Sequence, residues 1–158
     1  MAEGILRARA AEAGIAVQVS SAGLMQGGAP ATGDAVAVLS DLGIDISGHV
    51  SRRLDREMLT QADLVVTMTR DHLREAVLTE PSAFPRIFTL RELVRHLDQN
   101  PGADLAALNV GRSTSDYHGT VPEDDVKDPI GQSKRVYAAT AADLDTLLTT
   151  LVKSLGTL

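Results

Sequence analysis

The chain has 158 residues, of which 44% are hydrophobic and 23% charged, as in an ordinary globular protein with an apolar core. Its net charge of -6 excludes a generally basic surface, so we expect no nucleic-acid partner. The sequence contains no cysteine, which excludes a disulfide framework and a thiolate zinc site within these residues. No apolar run approaches the length of a membrane span and residues 1–13 lack a signal-peptide core, so we predict a cytoplasmic protein without a membrane partner.

The predicted elements alternate between helices and strands. Apolar residues at helical spacing, capping residues and terminating glycines set the helices, and near-continuous or alternating apolar runs set the strands. In chain order we predict a helix over 1–13, a strand over 15–21, a loop over 22–32, a helix over 33–42, a connector over 44–54, a short helix capped by Asp55 up to Gln61, a strand over 63–69, a helix over 70–79, a strand over 86–89, a helix over 90–98, a long polar loop over 109–127 and a helix over 133–155.

This alternation predicts a single α/β domain over residues 1–158, built as three layers with helices on both faces of a parallel sheet. The run Asp63–Thr69 is apolar along most of its length, as in a parallel strand that is covered on both sides. Three short strands make a narrow sheet for a chain of this length. We therefore expect a further strand ahead of the first helix.

Five stretches, in order along the chain, resemble one known family. They are Met-Ala-Glu at 1–3, Ser-Ser-Ala-Gly at 20–23, Gly-Ile-Asp-Ile-Ser-Gly-His at 43–49, Ala-Asp-Leu-Val-Val-Thr-Met at 62–68, and Asp128-Pro129. Together they resemble the low molecular weight protein tyrosine phosphatases, a family that includes related thiol-dependent arsenate reductases.

The resemblance implies a four-stranded sheet and a Cys-x5-Arg phosphate-binding loop between the first strand and the first helix. The chain resembles the family only from the residues that follow this loop. We therefore expect an N-terminally truncated phosphatase domain that lacks the first strand and the loop. A start codon misassigned to Met1 would explain this; a short, inactive paralogue is the alternative.

In this family a cysteine thiolate attacks phosphorus, and an aspartate protonates the leaving oxygen. The resemblance carries the general-acid role to Asp128, with no metal or organic cofactor. The substrate would be a phosphorylated protein, such as one bearing phosphotyrosine, or a small phosphate ester. Because these residues include no cysteine, we predict that the chain as given is inactive. The alternatives are an arsenate reductase of the same fold and a non-catalytic pseudophosphatase that binds a partner.

Other residues have weaker signals. Asp128-Pro129 alone would indicate only a turn, and the family's usual aromatic residue after it is replaced by Ile130, which counts against phosphotyrosine recognition. We expect Arg52 and Arg53 to be surface or ion-pair residues that could rim an anion cleft, and Asp124 and Asp125 to form a solvated acidic stretch. His49 is expected to order a loop, and Ser20 and Ser21 to support the phosphate loop. Tyr117 and Tyr137 are expected to be packing residues. The four histidines show no metal-ligand spacing.

Overall fold

The computed structural model describes residues 1–118 and 121–155, which form two compact units. The first unit comprises residues 1–53 and 127–155, and the second comprises Leu54–Val126. Each unit has its own helices and its own buried side chains.

The described helices and strands follow one another in this order: α1 (Ala2–Glu12), α2 (Gly33–Ser40), α3 (Arg56–Gln61), β1 (Val65–Thr67), α4 (Arg70–Thr79), β2 (Ile87–Thr89), α5 (Leu90–Gln99), α6 (Leu105–Leu108) and α7 (Lys134–Ser154). Short 3₁₀ turns cover Pro81–Arg86, Thr114–Tyr117 and Pro122–Asp124. None of the helices described is both long enough and apolar enough to span a membrane.

The first unit is a helical assembly in which α1 and α2 both pack against α7. Ile5 of α1 and Leu39 of α2 are fully buried. On α7, Leu144, Leu148 and Leu151 lie on one stripe and are all buried, as their spacing predicts. Each such side chain contributes roughly 1.5–3 kcal/mol through burial. This packing holds the start of α1, where the candidate site lies.

The second unit contains the parallel sheet. Strands β1 and β2 pair in parallel with Val66 opposite Phe88, and α4 and α5 pack against both strands. Phe88 is fully buried between its neighbours. Thr89 ends β2 and caps α5 in a capping box with Glu92, so the chain turns from strand to helix within one residue.

Most of the predicted elements are confirmed. The helices predicted over 1–13, 33–42, 55–61, 70–79, 90–98 and 133–155 are present with ends that differ by up to two residues, and the strands predicted over 63–69 and 86–89 are present in shortened form. Asp55 caps α3 by accepting the backbone N–H of Met58 at 2.9 Å. The parallel pairing of the two strands is also confirmed.

The strand predicted over residues 15–21 is wrong. This segment has no ladder partner among the described residues; the nearest pairing is an isolated bridge between Gly23 and Arg53. Val17 is 40% exposed although the alternating pattern predicts an inward side chain. An alternating pattern shows only that a segment suits a strand, because the strand itself exists only where a second segment supplies hydrogen bonds.

The loop predicted over 109–127 includes residues 119–120, which lie outside the described part of the chain. Its described residues are more ordered than the polar sequence suggests. It contains two 3₁₀ turns, and Tyr117, Asp124 and Val126 are buried. The Val126 N–H donates to the carbonyl oxygen of Met68 at 2.8 Å, which ties the end of the loop to the residue after β1.

Candidate functional site

A cavity of about 430 Å³ lies in the first unit beside the first turn of α1. One side is formed by α1 and the other by the connector that follows α2. Its lining includes Met1, Glu3, Gly4 and Arg7 from α1, and Asp45, Ile46, Gly48, His49, Val50 and Arg52 from the connector.

Glu3 is the centre of the polar network at this cavity. Its carboxylate accepts a hydrogen bond from the Ser21 hydroxyl at 2.5 Å, forms an ion pair with Arg7, and lies 3.7 Å from Nδ1 of His49. Burial alone would raise the pKa of the Glu3 carboxyl, but the Ser21 hydroxyl and the Arg7 guanidinium outweigh burial and lower this pKa. Glu3 is therefore ionised and already paired.

The opposite wall is held in place by a close backbone contact. The N–H groups of Gly23 and Gly28 donate to the carbonyl oxygens of Arg52 and Ser51 at 2.9 and 2.8 Å. A Cβ atom on Gly27 would lie 2.9 Å from the Ser51 carbonyl oxygen, so only glycine allows this approach without displacement.

Arg52 therefore projects from a fixed backbone. Its Nη2 donates to the carbonyl oxygen of Ser21 at 3.2 Å. The same backbone segment continues into Arg53, whose backbone pairs with Gly23 and which does not line the cavity.

The cavity carries charges of both signs. Arg7, Arg52 and the His49 ring lie around it, together with the carboxylates of Glu3 and Asp45. Arg7 is already paired with Glu3, so Arg52 and the His49 ring are the groups that could meet an anion. No group of three or more His, Asp or Glu in the described part of the chain is arranged to hold a metal ion.

The structure places Asp128 on an exposed loop of the first unit, six residues before α7. One of its carboxylate oxygens accepts the N–H of Ile130 at 2.9 Å, which closes a tight turn. Asp128 does not line the cavity beside α1. Its role as general acid stays a prediction.

The other predicted residues divide into two groups. His49 and Arg52 line the cavity, and Ser21 donates to Glu3 of its lining. Tyr117 and Tyr137 are buried packing residues, as expected. The Tyr137 hydroxyl forms a hydrogen bond of 3.1 Å with the Thr32 hydroxyl.

The solvated acidic stretch predicted at Asp124 and Asp125 is wrong. Asp124 is 2% exposed and pairs with Arg70 and Arg95 at 2.9 and 2.8 Å, and Asp125 accepts the N–H of Arg70 at 2.8 Å. These arginines come from α4 and α5, far away in the sequence, so no local pattern shows that the charges are paired.

Sequence reasoning also missed Glu3 and Arg7. One signal was present: an acidic residue in the first turn of a predicted helix, four residues before an arginine, forms an ion pair on one helix face. The pattern is common on exposed helices, so by itself it does not indicate a site.

The comparison with known families matches residues 1–106 to the model described as low molecular weight phosphotyrosine protein phosphatase. The chain belongs to this family. Among solved structures, the low molecular weight protein tyrosine phosphatase from T. tengcongensis is similar, with 34% identity, a TM-score of 0.76, and coverage of 98% of this chain and 88% of that chain. The predicted fold class, a three-layer α/β fold with a parallel sheet, is confirmed by this likeness.

Curated relatives carry different activities. A protein-arginine-phosphatase of Bacillus subtilis is 31% identical over 157 residues, which is 98% of this chain and 87% of that protein. Arsenate reductase 2 of Staphylococcus epidermidis is 40% identical over 48 residues, which is 30% of this chain and 37% of that protein. The predicted family is thus confirmed, and phosphatases and arsenate reductases both occur among its relatives.

Proposed function

We propose that the chain provides the framework of a phosphatase that acts on phosphorylated proteins, and that residues 1–158 alone do not catalyse the reaction. The observation that carries this proposal is the absence of any cysteine in a chain that belongs to a cysteine-dependent family. Without a thiolate, no phosphocysteine intermediate forms within these residues. An arsenate reductase needs thiol chemistry as well, so this absence does not separate the two activities. The longer match to the protein-arginine-phosphatase, over 98% of this chain against 30% for the arsenate reductase, favours the phosphatase.

A non-catalytic binding protein is the second candidate. Such a pseudophosphatase needs no nucleophile, and Arg7, His49 and Arg52 line the cavity beside α1. In this case the protein would bind an anionic partner without turning it over. Its cytoplasmic location and the absence of a nucleic-acid partner stay predictions.

We assign the general-acid role to Asp128 within the phosphatase reading. As the phosphorus–oxygen bond breaks, the Asp128 carboxyl would give its proton to the leaving oxygen; the resulting carboxylate would then take a proton from the water that attacks the phosphoenzyme. The exposed position of Asp128 on a short turn leaves its second carboxylate oxygen available for this exchange.

We further propose that the substrate's phosphorylated residue has no aromatic ring, as in protein phosphoarginine. Tyr117, Tyr137 and Phe88 are buried, Phe84 packs against the core of the second unit, and these four are the only aromatic residues of the sequence. The residue after Asp128-Pro129 is Ile130, which is 66% exposed. No exposed ring is therefore available to stack on a phenol.

A loop graft tests the phosphatase framework. The strand and Cys-x5-Arg loop of a related phosphatase are joined ahead of residue 1, and hydrolysis of phenyl phosphate and p-nitrophenyl phosphate is measured. We expect turnover, and we expect Asp128→Ala to lower the rate on phenyl phosphate at least about tenfold, because phenolate leaves poorly without a proton. The effect on p-nitrophenyl phosphate should be smaller. Glu123→Ala, at an exposed neighbouring carboxylate, is the matched control.

Two outcomes would contradict these assignments. A graft that unfolds cooperatively but hydrolyses neither ester would contradict the framework. An equal loss of activity for Asp128→Ala and Glu123→Ala would contradict the general-acid role of Asp128.

A further substitution tests the proposed substrate. Ile130→Tyr in the graft should raise kcat/KM on a phosphotyrosine peptide by about three- to tenfold relative to protein phosphoarginine, the range of a single aromatic contact. No relative change would contradict the ring argument.

We also propose that both compact units belong to one domain over residues 1–158. The likeness to the T. tengcongensis phosphatase extends over 98% of the chain, which supports this. Calorimetry of the purified chain should give one transition whose calorimetric and van't Hoff enthalpies agree. Two separate transitions would contradict a single domain.

A further inference from the structure

A second cavity of about 340 Å³ lies along the first half of α7 as a groove in the first unit. It is lined by Lys127 from the loop before α7, and by Arg135, Val136, Ala139, Thr140 and Asp143 from α7 itself. Nothing in the predicted chemistry at Asp128 uses it, and its residues do not overlap with those of the cavity beside α1.

The geometry of α7 explains the shape of this groove. Arg135, Ala139 and Asp143 follow at intervals of four residues and so form one stripe, with about 6 Å between successive members. The Thr140 hydroxyl donates to the carbonyl oxygen of Lys127 at 3.5 Å, which holds the preceding loop against the helix. The small side chain of Ala139 leaves the middle of the groove open.

Two cations of the groove form no ion pair in the part of the chain that the structure describes. Within the described residues, neither Lys127 nor Arg135 forms an ion pair, and both are exposed. Lys134 differs, because its ammonium lies 3.4 Å from a carboxylate oxygen of Asp41. The first turn of α7 contains no acidic residue. The acidic residue in the lining, Asp143, lies two turns further along the helix than Arg135. The concentration of positive charge is local, since the whole chain carries a net charge of -6.

We propose that this groove binds an acidic segment of the protein substrate. Carboxylates of the segment pair with Lys127 and Arg135, and the aliphatic stems of the segment's acidic side chains contact Val136 and Ala139. The inference rests on the proposed function, because Lys127 directly precedes Asp128. An extended chain advances about 3.3–3.6 Å per residue, so we expect the acidic residue to lie a few positions from the phosphorylated one.

Binding by the chain itself tests this proposal without any catalysis. The probe is a fluorescein-labelled peptide of alternating glutamate and leucine, and its Kd for residues 1–158 is measured by fluorescence anisotropy. The measurement is made at about 50 mM and at about 300 mM salt, because interactions between exposed charges are largely screened at the higher concentration. The companion probe has glutamine in place of every glutamate. We expect the glutamate peptide to bind more tightly at low salt, and the glutamine peptide to bind at least about tenfold more weakly.

Variants assign the binding to the groove. Lys127→Gln and Arg135→Gln should each weaken binding about threefold and together about tenfold, as expected for partly exposed ion pairs. Ala139→Glu keeps both cations but places a carboxylate between them at an exposed helical position, so it should weaken binding by a similar factor. Lys153→Gln, in the last turn of α7 and outside the groove, is the control and should leave the Kd unchanged.

Several results would overturn the proposal: no binding of the glutamate peptide, equal binding of both peptides, or an unchanged Kd in the Lys127→Gln/Arg135→Gln double variant. Tighter binding of a short oligothymidylate at the same residues would also overturn it, because the groove would then be a general polyanion site. These outcomes can be distinguished from those of the loop-graft experiment. An inactive graft with intact peptide binding would contradict the proposed function, while an active graft without peptide binding would contradict only the groove.

Discussion

Asp124 shows how far a residue's surroundings can depart from what its neighbours in the sequence suggest. It lies in the run Glu123–Asp125, yet it is 2% exposed and contacts two arginines from different helices. A buried carboxylate is tolerated only when such partners are present. The arginines therefore hold the segment around Asp124 as an ordered part of the second unit.

Replacing this carboxylate tests that interpretation. Asp124→Asn removes the negative charge and leaves Arg70, which is 12% exposed, without its main partner. We expect a loss of about 3 kcal/mol in the free energy of unfolding, since breaking a buried pair leaves an uncompensated charge. The control, Asp71→Asn, alters a largely exposed pair with Arg74 and should cost under about 1 kcal/mol. Urea unfolding that shows equal losses would contradict the buried-pair account.

Glu80 predicts a pH dependence of stability. Hydrogen bonds from the Ser82 hydroxyl, and then the Arg56 guanidinium, lower the pKa of this carboxyl from 4.5 to about 2. Because the folded-state pKa lies below the unfolded value, Glu80 stabilises the fold above pH 4.5, and this contribution is lost as the pH falls towards 2. Urea unfolding should thus show a stability difference between the parent chain and Glu80→Gln that is largest near neutral pH and shrinks on acidification. A difference that stays constant down to about pH 3 would contradict the assignment.

At the scale of elements, the helices could be predicted well because their hydrogen bonds lie within one segment. The caps at Asp55, Thr69 and Thr89 and the apolar stripe of α7 are local signals, and the helices begin and end close to where these signals place them. Strands depend on a second segment. The apolar run at β1 forms a strand because its partner β2 is present, whereas the alternating run over 15–21 has no ladder among the described residues.

The contact between the loop around Gly27 and the connector around Arg52 is a second element-scale feature that local patterns do not reveal. A side chain at position 27 would meet the backbone of Ser51, Arg52 and Arg53, none of which can move cheaply. We expect Gly27→Ala to lower the free energy of unfolding by about 1–3 kcal/mol, the usual cost of overpacking. Gly33→Ala, where the added Cβ meets nothing within 4 Å, should be neutral or slightly stabilising. Equal effects of the two substitutions in thermal unfolding would contradict the close approach.

At the scale of the whole molecule, the family could be predicted from short stretches in a fixed order, although none of them is decisive alone. The candidate site was only partly accessible from the sequence. Ser21 and His49 lie in family-like stretches, and the sequence offers Arg52 only as a possible rim of an anion cleft. The contacts of Ser21 and His49 with Glu3 depend on how α1 packs in the first unit. The general-acid role of Asp128 rests on resemblance alone. The exposed turn that its carboxylate closes is compatible both with that role and with a purely structural one.

The central claim is our proposal that residues 1–158, which belong to the low molecular weight phosphatase family and contain no cysteine, do not themselves hydrolyse phosphate esters. The most direct test is the hydrolysis of p-nitrophenyl phosphate by purified residues 1–158, with the Asp128→Ala variant measured in parallel. The account predicts no turnover above the buffer rate for either protein. Steady turnover by the parent chain that Asp128→Ala reduces would contradict it, because the chain would then hydrolyse phosphate esters without a thiolate.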